Sequence, residues 1–484
     1  MYQKLLSELS SPGRRGVNLP SSDVPNVSVE EIIPSYARRK SPLKLPEVSE
    51  VEVVRHFTTL SQLNMSVDTH FYPLGSCTMK YNPKINDELA KIHRFTEVHP
   101  YQPEELMQGL LQLLYELEQA LCEICGMSAF TLQPAAGAHG EFVGLLITQT
   151  YHLSRNDPRT KVLVPDSSHG TNPASAALCG FQVVEVRSNH KGRVDLAHLK
   201  ELSDSQTAAL MLTNPNTLGL FEDEILKMAE VIHKVGGLLY YDGANLNPLL
   251  GISKPGKMGF DIVHLNLHKT FSTPHGAGGP GAGPVGVKAK LAEFLPIPRI
   301  VKKNGDSPHF SLCEDYPHSI GKVRAFYGNI GVLIRAYIYI RALGAEGLRE
   351  VAEAAILNAN YLRAKLEKHF DIPYDGTNLH EFVLSANRQK AKGVTALDIA
   401  KRLLDYGIHA PTVYFPLIVQ EALMIEPTET ESFQTLDHFV QTMEKICQEI
   451  EQDPEKLHQA PFTTPINRPD EVRAARQPIL KWQG

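Results

Sequence analysis

The stretch HLNLHKTF at positions 264–271, followed by a glycine-rich run at 276–286, decides the fold of this chain. Upstream, the apolar run LLYYDGAN at 238–245 contains Asp242, and Lys269 follows this acid by 27 positions. The spacing predicts a strand that ends in a carboxylate, a connection, and a second strand that ends in a lysine. Because ligands bind beyond the carboxyl ends of the strands in a parallel α/β sheet, we expect the acid and the amine to share one crevice.

An amine in such a crevice can form a Schiff base with an aldehyde cofactor, and a carboxylate can hold a protonated pyridine nitrogen. This layout is typical of a pyridoxal-phosphate enzyme. Most Asp and Lys side chains at strand ends are ordinary solvated loop residues, so the pair alone is weak evidence. The strength of this evidence depends on which other motifs accompany the pair in the chain.

A loop for a phosphate precedes both residues. In FTLQPAAGAHGE at 130–141, an apolar run breaks at Pro134, and small residues then lead into a predicted helix. Small residues let backbone N–H groups approach an anion, and the helix N-terminus adds a partial positive charge. Small residues also serve plain helix–sheet packing, so the loop becomes strong evidence only together with the acid and the lysine.

Two more apolar runs end in polar groups. VLVPDSSHGTNP at 162–173 presents His169, which could lie flat on a pyridine ring; the alternative is a histidine hydrogen-bonded in a loop. With 20 histidines in the chain, position alone favours that alternative. LMLTNPNT at 210–217 presents Thr213 and neighbouring amides, which could reach the ring oxygen or the phosphate.

Long stretches of the chain match one known family. They are FYPLGSCTMK at 71–80, FTEVHPYQ at 95–102, QPAAGAHGE at 133–141, DSSHGTNP at 166–173, LHKTFSTPH at 267–275, RAFYGN at 324–329 and MIEPTETE at 424–431. With these runs the chain resembles glycine dehydrogenase (decarboxylating), the P-protein of the glycine cleavage system, and in particular subunit 2 of its two-subunit form. The resemblance covers nearly the whole chain beyond a variable start, and it departs from the family pattern at Ala277, where glycine is expected.

The resemblance implies a pyridoxal-phosphate-dependent transferase fold of the aspartate aminotransferase type (fold type I), in the α/β class. By the same resemblance, Lys269 is the Schiff-base lysine and Asp242 the partner of the pyridine nitrogen, while Ala244 and His169 cover the two ring faces. The other residues expected to bind pyridoxal 5′-phosphate are Ala136, Gly137, Ala138, Thr213 and His268. His139, His169, His268 and His275 are unranked candidates for proton transfer, since histidine titrates near working pH.

The activity implied by the resemblance is decarboxylation of glycine, with transfer of the aminomethyl group to the lipoyl arm of an H-protein and release of CO₂. The implied partners are this lipoylated H-protein and a separate P-protein subunit 1, with two copies of each subunit as the expected assembly. Closed twofold symmetry is the commonest arrangement of oligomers. We also expect aromatic residues such as Phe71, Tyr72 and Tyr101 to be buried against a neighbouring subunit.

Two other functions remain open at this point. A general aminotransferase or amino-acid decarboxylase would share the lysine and the acid, but it would lack the segment GSCTMK at 75–80 and would need no lipoyl partner. A non-catalytic subunit of the same fold would lack the lysine, so Lys269 argues against that class.

Composition bounds the remaining possibilities. A chain of 484 residues can form two domains, and its net charge of −6 with no basic stripe argues against nucleic-acid binding. No apolar run is long enough for a membrane span, and residues 1–9 lack the apolar core of a signal peptide, so we expect a cytoplasmic protein. Six cysteines do not indicate a disulfide scaffold, and no cysteine pattern completes a zinc site.

The order of apolar and helical patterns predicts three regions: an extended arm at 1–100, a large cofactor-binding α/β domain at 101–345, and a small α/β domain with a tail at 346–484. A helix is predicted from about Pro103 to Cys125 with Gly126 as its C-cap. Cys122 and Cys125 have redox-motif spacing, but they lie at the C-terminal end of this helix, where its dipole would raise a thiol pKa. We therefore interpret both as packing residues.

Overall fold

The computed structural model describes residues 4–41, 43–276, 278–303 and 308–481, so the departure at Ala277 lies outside the described residues. The chain divides into two compact units, residues 1–66 and 67–484. The division predicted from the sequence, with boundaries at 100 and 345, stays a prediction.

In its described residues, 4–41 and 43–66, the first unit contains three helices and lacks an apolar core, since only Val48 and His56 are buried there. Ser49 caps the longest helix, because its hydroxyl accepts the N–H of Glu52 while the Glu52 carboxylate accepts the N–H of Ser49. The helices are α1 (Leu6–Leu9), α2 (Val29–Ile32) and α3 (Glu50–Gln62).

A seven-stranded sheet forms the centre of the second unit. Its strands are β1 (Ala129–Thr131), β2 (Lys161–Pro165), β3 (Gln182–Val186), β4 (Thr207–Thr213), β5 (Leu238–Gly243), β6 (Ile262–Leu265) and β7 (Val285–Val287). The spatial order is β1-β7-β6-β5-β4-β2-β3, and the pairs from β3 to β6 are parallel. The predicted strands and the largely parallel sheet are confirmed.

The helices of the second unit complete the layers around this sheet. They are α4 (Lys84–Ala90), α5 (His93–Thr96), α6 (Gln108–Cys125), α7 (Gly137–Ser154), α8 (Thr171–Leu178), α9 (Leu196–Leu202), α10 (Ile225–Lys234), α11 (Leu267–Thr270), α12 (Ile330–Leu366), α13 (Asn387–Lys390), α14 (Ala396–Asp405), α15 (Phe433–Gln452), α16 (Pro454–Gln459) and α17 (Glu471–Arg476). Short 3₁₀ turns occur at Glu104–Leu106, Asn247–Leu249, Pro255–Lys257 and Ala289–Phe294.

Alternate side chains of the central strands face opposite layers. On β4, Leu210 joins the apolar cluster that includes the leucines of α6, while Met211 joins the cluster that includes the apolar residues of α7. Helix α7 lies close to the sheet at Gly144, where a Cβ would overlap the ring of Tyr240. This close approach brings the N-terminus of α7 to the carboxyl ends of the strands, where a ligand site is expected.

The C-terminal part of the second unit has its own core. Helix α12 is interrupted at Gly344, whose φ of 62° and ψ of −170° are not helical. The antiparallel strands β10 (Phe382–Ser385), β11 (Thr412–Val413) and β12 (Ala422–Ile425) pack with α14 and α15 in this core.

Phe71 corrects the prediction that the early aromatic residues are buried against a neighbouring subunit. It lies in the C-terminal core of its own chain, with its ring centroid 5.3 Å from that of Phe439. Tyr72 stacks on His409 at 3.6 Å, also within the chain. Tyr72 is half-buried and Tyr101 is 71% exposed, so their burial against a partner stays a prediction.

Four strands of the described residues were not predicted, namely β7, β11 and the two strands of a separate antiparallel pair. The glycine-rich run ends in β7, which pairs antiparallel with both β1 and β6. Strands β8 (Arg299–Lys303) and β9 (His309–Cys313) form an antiparallel pair of their own. Gly286 explains why β7 escapes prediction: the ring of Phe130 fills the place of a Cβ there, so the strand lacks the alternating side chains that mark a strand in sequence.

Candidate active site

Lys269 and Asp242 lie at neighbouring strand ends, as their spacing predicts. Asp242 is the fifth residue of β5, and Lys269 lies in α11, the single turn that follows β6. Both side chains line one cavity at the carboxyl edge of the sheet. The Nζ atom of Lys269 donates a hydrogen bond to the carbonyl oxygen of Ser76 at 2.7 Å.

The Asp242 carboxyl is held in its charged form. Burial alone would raise its pKa, but His264, the backbone N–H of Ala244 and Lys269 together keep the pKa below its ordinary value. The Ala244 N–H donates to Oδ1 at 3.0 Å, and Nε2 of His264 lies 3.3 Å from the same oxygen. A buried carboxylate of this kind can stabilise a cation in the cavity.

A second polar layer lies behind Asp242. His264 is its cross-strand neighbour on β6, and Nδ1 of His264 lies 2.7 Å from the hydroxyl of Tyr240. Glu141 of α7 accepts hydrogen bonds from the hydroxyls of Thr171 and Ser175, at 2.8 and 2.9 Å. Burial, and then the neighbouring Asp242, raise the pKa of Glu141.

Neither His264 nor Glu141 was singled out from the sequence, although both stand inside the quoted runs. The signal for His264 was its position, three residues before the start of the turn that carries Lys269 and level with Asp242 once β5 and β6 are aligned in parallel. That alignment is not visible in a single sequence. Glu141 was assigned only to the start of a helix.

The N-terminus of α7 is open toward the cavity. The helix begins at Gly137 with Ala136 in extended backbone, and no side chain caps its first N–H groups. A Cβ at position 137 would overlap the side chain of Asn266, so only glycine permits this approach. Gly137 and Ala138 line the cavity, whereas Ala136 flanks it as the residue before the helix.

The hydroxyl of Thr213 is a polar atom without a partner. It lies at the end of β4, Thr213 is 5% exposed, and Oγ1 makes no hydrogen bond. A buried hydroxyl usually has a partner, so this one marks a place for a ligand oxygen. An open helix N-terminus, an unpartnered hydroxyl, a carboxylate and an amine around one cavity fit the phosphate, the pyridine nitrogen and the aldehyde of pyridoxal phosphate.

The two histidines predicted to bind the cofactor, His169 and His268, occupy different environments. His169 is exposed at the cavity, with Nδ1 2.8 Å from the hydroxyl of Thr171, and its ring meets that of Phe415 edge-on at 5.8 Å. His268 is half-buried beside Lys269. Burial, Lys269 and His275 lower the pKa of His268 to about 3, so its imidazole is neutral.

The structure therefore gathers most of the predicted site into one place. Eight of the predicted residues line the cavity: Gly137, Ala138, His169, Thr213, Asp242, Ala244, His268 and Lys269. The other lining residues are Ser76, Glu141, Thr171, Thr217, Asn245, His264 and Asn266. Ser76 comes from the segment predicted to be an extended arm, so this part of the chain contributes directly to the cavity.

The thiols take no part in this arrangement. All six cysteines are free. Burial raises the pKa of Cys122 to about 12 and also raises the pKa of Cys125, while the left-handed Gly126 caps the helix as predicted. Within the described parts of the chain, every helix is too short or too polar to cross a membrane.

Family models and sequence relatives place this chain in the same family. Residues 22–309 match the model of the glycine cleavage system P-protein, and residues 351–463 match that of the glycine dehydrogenase C-terminal domain. A probable glycine dehydrogenase (decarboxylating) subunit 2 from Caldanaerobacter subterraneus is 58% identical, with 99% of each chain covered. One from Bacillus licheniformis is 57% identical over the same shares.

Among solved structures, an inhibitor-bound glycine decarboxylase (P-protein) superposes with a TM-score of 0.74 and 22% identity, covering 87% of this chain and 95% of the other. A glutamate decarboxylase from Lactobacillus brevis gives a TM-score of 0.64 at 14% identity, covering 87% and 96%. At these identities the two structures establish the fold alone.

Proposed function

Because the chain belongs to the glycine cleavage system P-protein family, we propose that it decarboxylates glycine and transfers the remaining aminomethyl group to the lipoyl arm of an H-protein. The cofactor in this proposal is pyridoxal 5′-phosphate. When bound, it supplies an electron sink for the electron pair that departing CO₂ leaves behind. The observation that carries the proposal is the meeting of Lys269 and Asp242 in one cavity beside the open N-terminus of α7.

We assign each end of the cavity a different task. The amine of Lys269 would hold the cofactor aldehyde covalently, and the amine of glycine would displace it. The N–H groups at the start of α7, with the hydroxyl of Thr213, would bind the phosphate. The charged carboxylate of Asp242 would keep the pyridine nitrogen protonated, which makes the electron sink effective.

The remaining residues would orient the reaction. Ala244 and His169 stand at the cavity from different loops and would pack against the two faces of the ring. His268 has a neutral imidazole next to Lys269, and its Nδ1 accepts the N–H of Ala282, so it would contact the cofactor as an uncharged ring. Because a pKa of about 3 makes this imidazole a weak base, it is a poor acceptor for the proton of an incoming ammonium group.

We also propose that this chain works with a separate P-protein subunit 1, with two copies of each subunit. The support is its coverage of 99% of relatives that are named subunit 2. A cytoplasmic location belongs to the same proposal, and six free thiols agree with a reducing compartment.

The decisive experiment is a glycine–bicarbonate exchange assay on the chain loaded with pyridoxal phosphate, with and without lipoylated H-protein and subunit 1. Exchange that needs glycine, H-protein and subunit 1 supports the whole proposal. Exchange by this chain and H-protein alone, with no mass increase on mixing with subunit 1 in light scattering, would contradict the partnership. Transamination of glycine without exchange would contradict the reaction itself.

A further inference from the structure

The turn at 75–78 lies beside Lys269 and has an unfavourable backbone. Ser76 and Thr78 have φ values of 61° and 39°, in the left-handed region that residues with a Cβ rarely adopt. At Gly75 a Cβ would overlap the side chain of Met424, so the turn packs tightly against β12. Such a turn persists only where the surrounding structure holds it in place.

Two buried glutamates hold this turn. The N–H of Ser76 donates to Oε2 of Glu381 at 2.7 Å, and the N–H of Thr78 donates to Oε2 of Glu426 at 3.0 Å. Both glutamates are fully buried, with 0% exposure. On its other side, the turn offers the Ser76 carbonyl to the amine of Lys269. The two carboxyls therefore act on Lys269 through one short piece of backbone.

The two carboxyls also lie close to each other. One carboxylate oxygen each of Glu381 and Glu426 and one ring nitrogen of His380 all lie within 4.8 Å of one another, and all three residues are fully buried. Two carboxylates cannot both ionise readily at such a separation without water. Burial, and then the partner carboxyl, raise the pKa of Glu381; burial also raises the pKa of Glu426 to about 7.

The titratable groups near Lys269 and around the pair decide which charge the pair must balance. Asp242 is charged, but its charge already faces His264 and the N–H of Ala244, and the lowered pKa values of His268 and His275 favour their neutral forms. Lys80 is already paired with Glu429 at 2.8 Å. Burial lowers the pKa of His380 to about 3 and raises that of the Cys77 thiol, so both are neutral near pH 7. Lys269 is the cation left opposite the pair, and it favours the charged form of each carboxyl.

We propose that Glu381 and Glu426 share one proton and act as positioning residues. They hold the Ser76–Thr78 turn against the Lys269 amine, and together they present a single negative charge to that amine. The place at the Ser76 carbonyl is then the resting position of the amine whenever it is not bonded to the cofactor. This inference rests on the proposed role of Lys269. It concerns where the amine goes when glycine displaces it.

The same three buried groups could instead hold a cation. Both ring nitrogens of His380 and Oε1 of Glu426 have no hydrogen-bond partner. One shared proton already balances the charges of the pair and Lys269, so a metal ion is not needed for neutrality. We therefore favour the proton and treat the metal ion as an outcome of the test.

The test measures the pH dependence of reductive methylation at Lys269 in the full chain freed of cofactor, by mass spectrometry of the peptide that contains it. The variants are Glu381→Gln, Glu426→Gln and the double variant, because glutamine keeps an acceptor for each backbone N–H. Glu421→Gln is the control: it is another buried glutamate of the C-terminal part, bonded to Lys390 and the N–H of Ala396.

We expect each single variant to keep the wild-type midpoint, because the remaining carboxyl then ionises and preserves one negative charge. The double variant removes that charge, so methylation at a fixed pH below the midpoint should be about tenfold faster, a shift of about one pH unit. Additive shifts from the two single variants would overturn the proposal, since the pair would then carry two charges. An unchanged midpoint in a folded double variant would overturn it as well.

Two further measurements keep the test decisive if the double variant does not fold. Infrared spectra at pH 7 should show one buried protonated carboxyl in the wild type and none in either single variant; a band that survives in both would contradict sharing. A stoichiometric metal ion in the purified chain, lost in Glu426→Gln, would replace the proposal with a metal site. Because methylation is measured without cofactor, failure of the exchange assay does not affect these results.

Discussion

Two lysines of this chain meet at the 73–81 segment but have contrasting environments: Lys80 belongs to this segment, and Lys269 donates to its Ser76 carbonyl. Lys80 is 2% exposed and surrounded by partners: its Nζ lies 2.8 Å from Glu429, 2.8 Å from Asn247 and 3.3 Å from the hydroxyl of Tyr339. Lys269 has weaker support: its Nζ donates to the carbonyl of Ser76 at 2.7 Å and, with the amide of Asn266 turned to satisfy its own neighbours, to the oxygen of Asn266 at 3.3 Å. Its side chain faces the cavity.

The difference separates a structural lysine from the one proposed to react. Burial alone would lower the pKa of Lys80, but Glu429 and Tyr339 outweigh burial and raise it, so this amine stays charged and cannot act as a nucleophile. Asp242, the acid near Lys269, is not bonded to that lysine and points its charge into the cavity instead. Because Asp242 and Lys269 are not paired with each other, both remain available to a ligand in the cavity, unlike Lys80 and Glu429.

The largest effect should come from Lys269→Ala. This change removes the only amine proposed to bond with the cofactor, so exchange activity should fall to background and the visible absorbance of the Schiff base should disappear. The melting temperature of the chain without cofactor should change little, because the buried pair Glu381 and Glu426 can take up a second proton when the Lys269 cation is removed. Lys227→Ala, at an exposed lysine of α10, is the control. A borohydride-reducible linkage that persists in Lys269→Ala would move the Schiff base to another lysine.

Lys80→Met should act on stability instead. Removing one partner of a buried ion pair leaves Glu429 uncompensated, so the free energy of unfolding should fall by about 3–5 kcal/mol. Urea denaturation monitored by circular dichroism measures this loss. The double variant Lys80→Met/Glu429→Leu should recover part of it, because the unpaired charge is gone. A single variant as stable as wild type would mean that Lys80 is not a structural lysine.

Asp242→Asn keeps the shape of the side chain and removes its charge. A charge-assisted hydrogen bond contributes on the order of 1.5–3 kcal/mol, so decarboxylation should slow by at least roughly tenfold, while cofactor binding weakens less. Turnover close to wild type would rule out the role of Asp242 in holding the pyridine nitrogen.

The pH dependence sharpens this prediction. A carboxyl with a lowered pKa stays charged at every pH above the ordinary pKa of Asp. It loses that charge only when the pH falls through the lowered pKa. The difference in cofactor affinity between wild type and Asp242→Asn should therefore stay constant from about pH 7 to about pH 4, near the ordinary value for Asp. A difference that vanishes already between pH 5 and 6 would show that Asp242 is neutral there.

Much of the Lys269 region was predictable from local pattern. Apolar runs that end in polar groups marked the strand ends, and parallel strands bring such ends to one edge. This logic found Lys269, Asp242 and Thr213 without knowledge of their contacts. It found the N-terminus of α7 as well, because small residues before a helix have a local signature.

The Lys80 region shows why the rest was not predictable. Its partner Glu429 lies 349 positions away, and neither residue has a local pattern that indicates burial. The same limit applies to the turn at 75–78, where Ser76 and Thr78 donate to Glu381 and Glu426 from distant segments. The segment was predicted to be an arm because prolines interrupt it, yet from Val67 onward it belongs to the second unit and reaches the cavity. Long-range packing decides such contacts, and one sequence does not reveal it.

The smallest predicted effect belongs to Thr213→Val, which tests the unpartnered hydroxyl in the cavity. A neutral hydrogen bond to the cofactor is worth about 0.5–1.5 kcal/mol, so its loss should weaken pyridoxal phosphate binding by roughly two- to tenfold. The chain without cofactor should be no less stable, because this buried hydroxyl has no partner to lose. Thr270→Val is a matched control, since its hydroxyl is also buried and unpartnered but does not line the cavity. Equal affinities in the two variants, measured by fluorescence titration, would show that Thr213 does not contact the cofactor. A weaker affinity only in Thr213→Val would show that the Thr213 hydroxyl binds the cofactor, whereas the Thr270 hydroxyl is unpaired only because of packing.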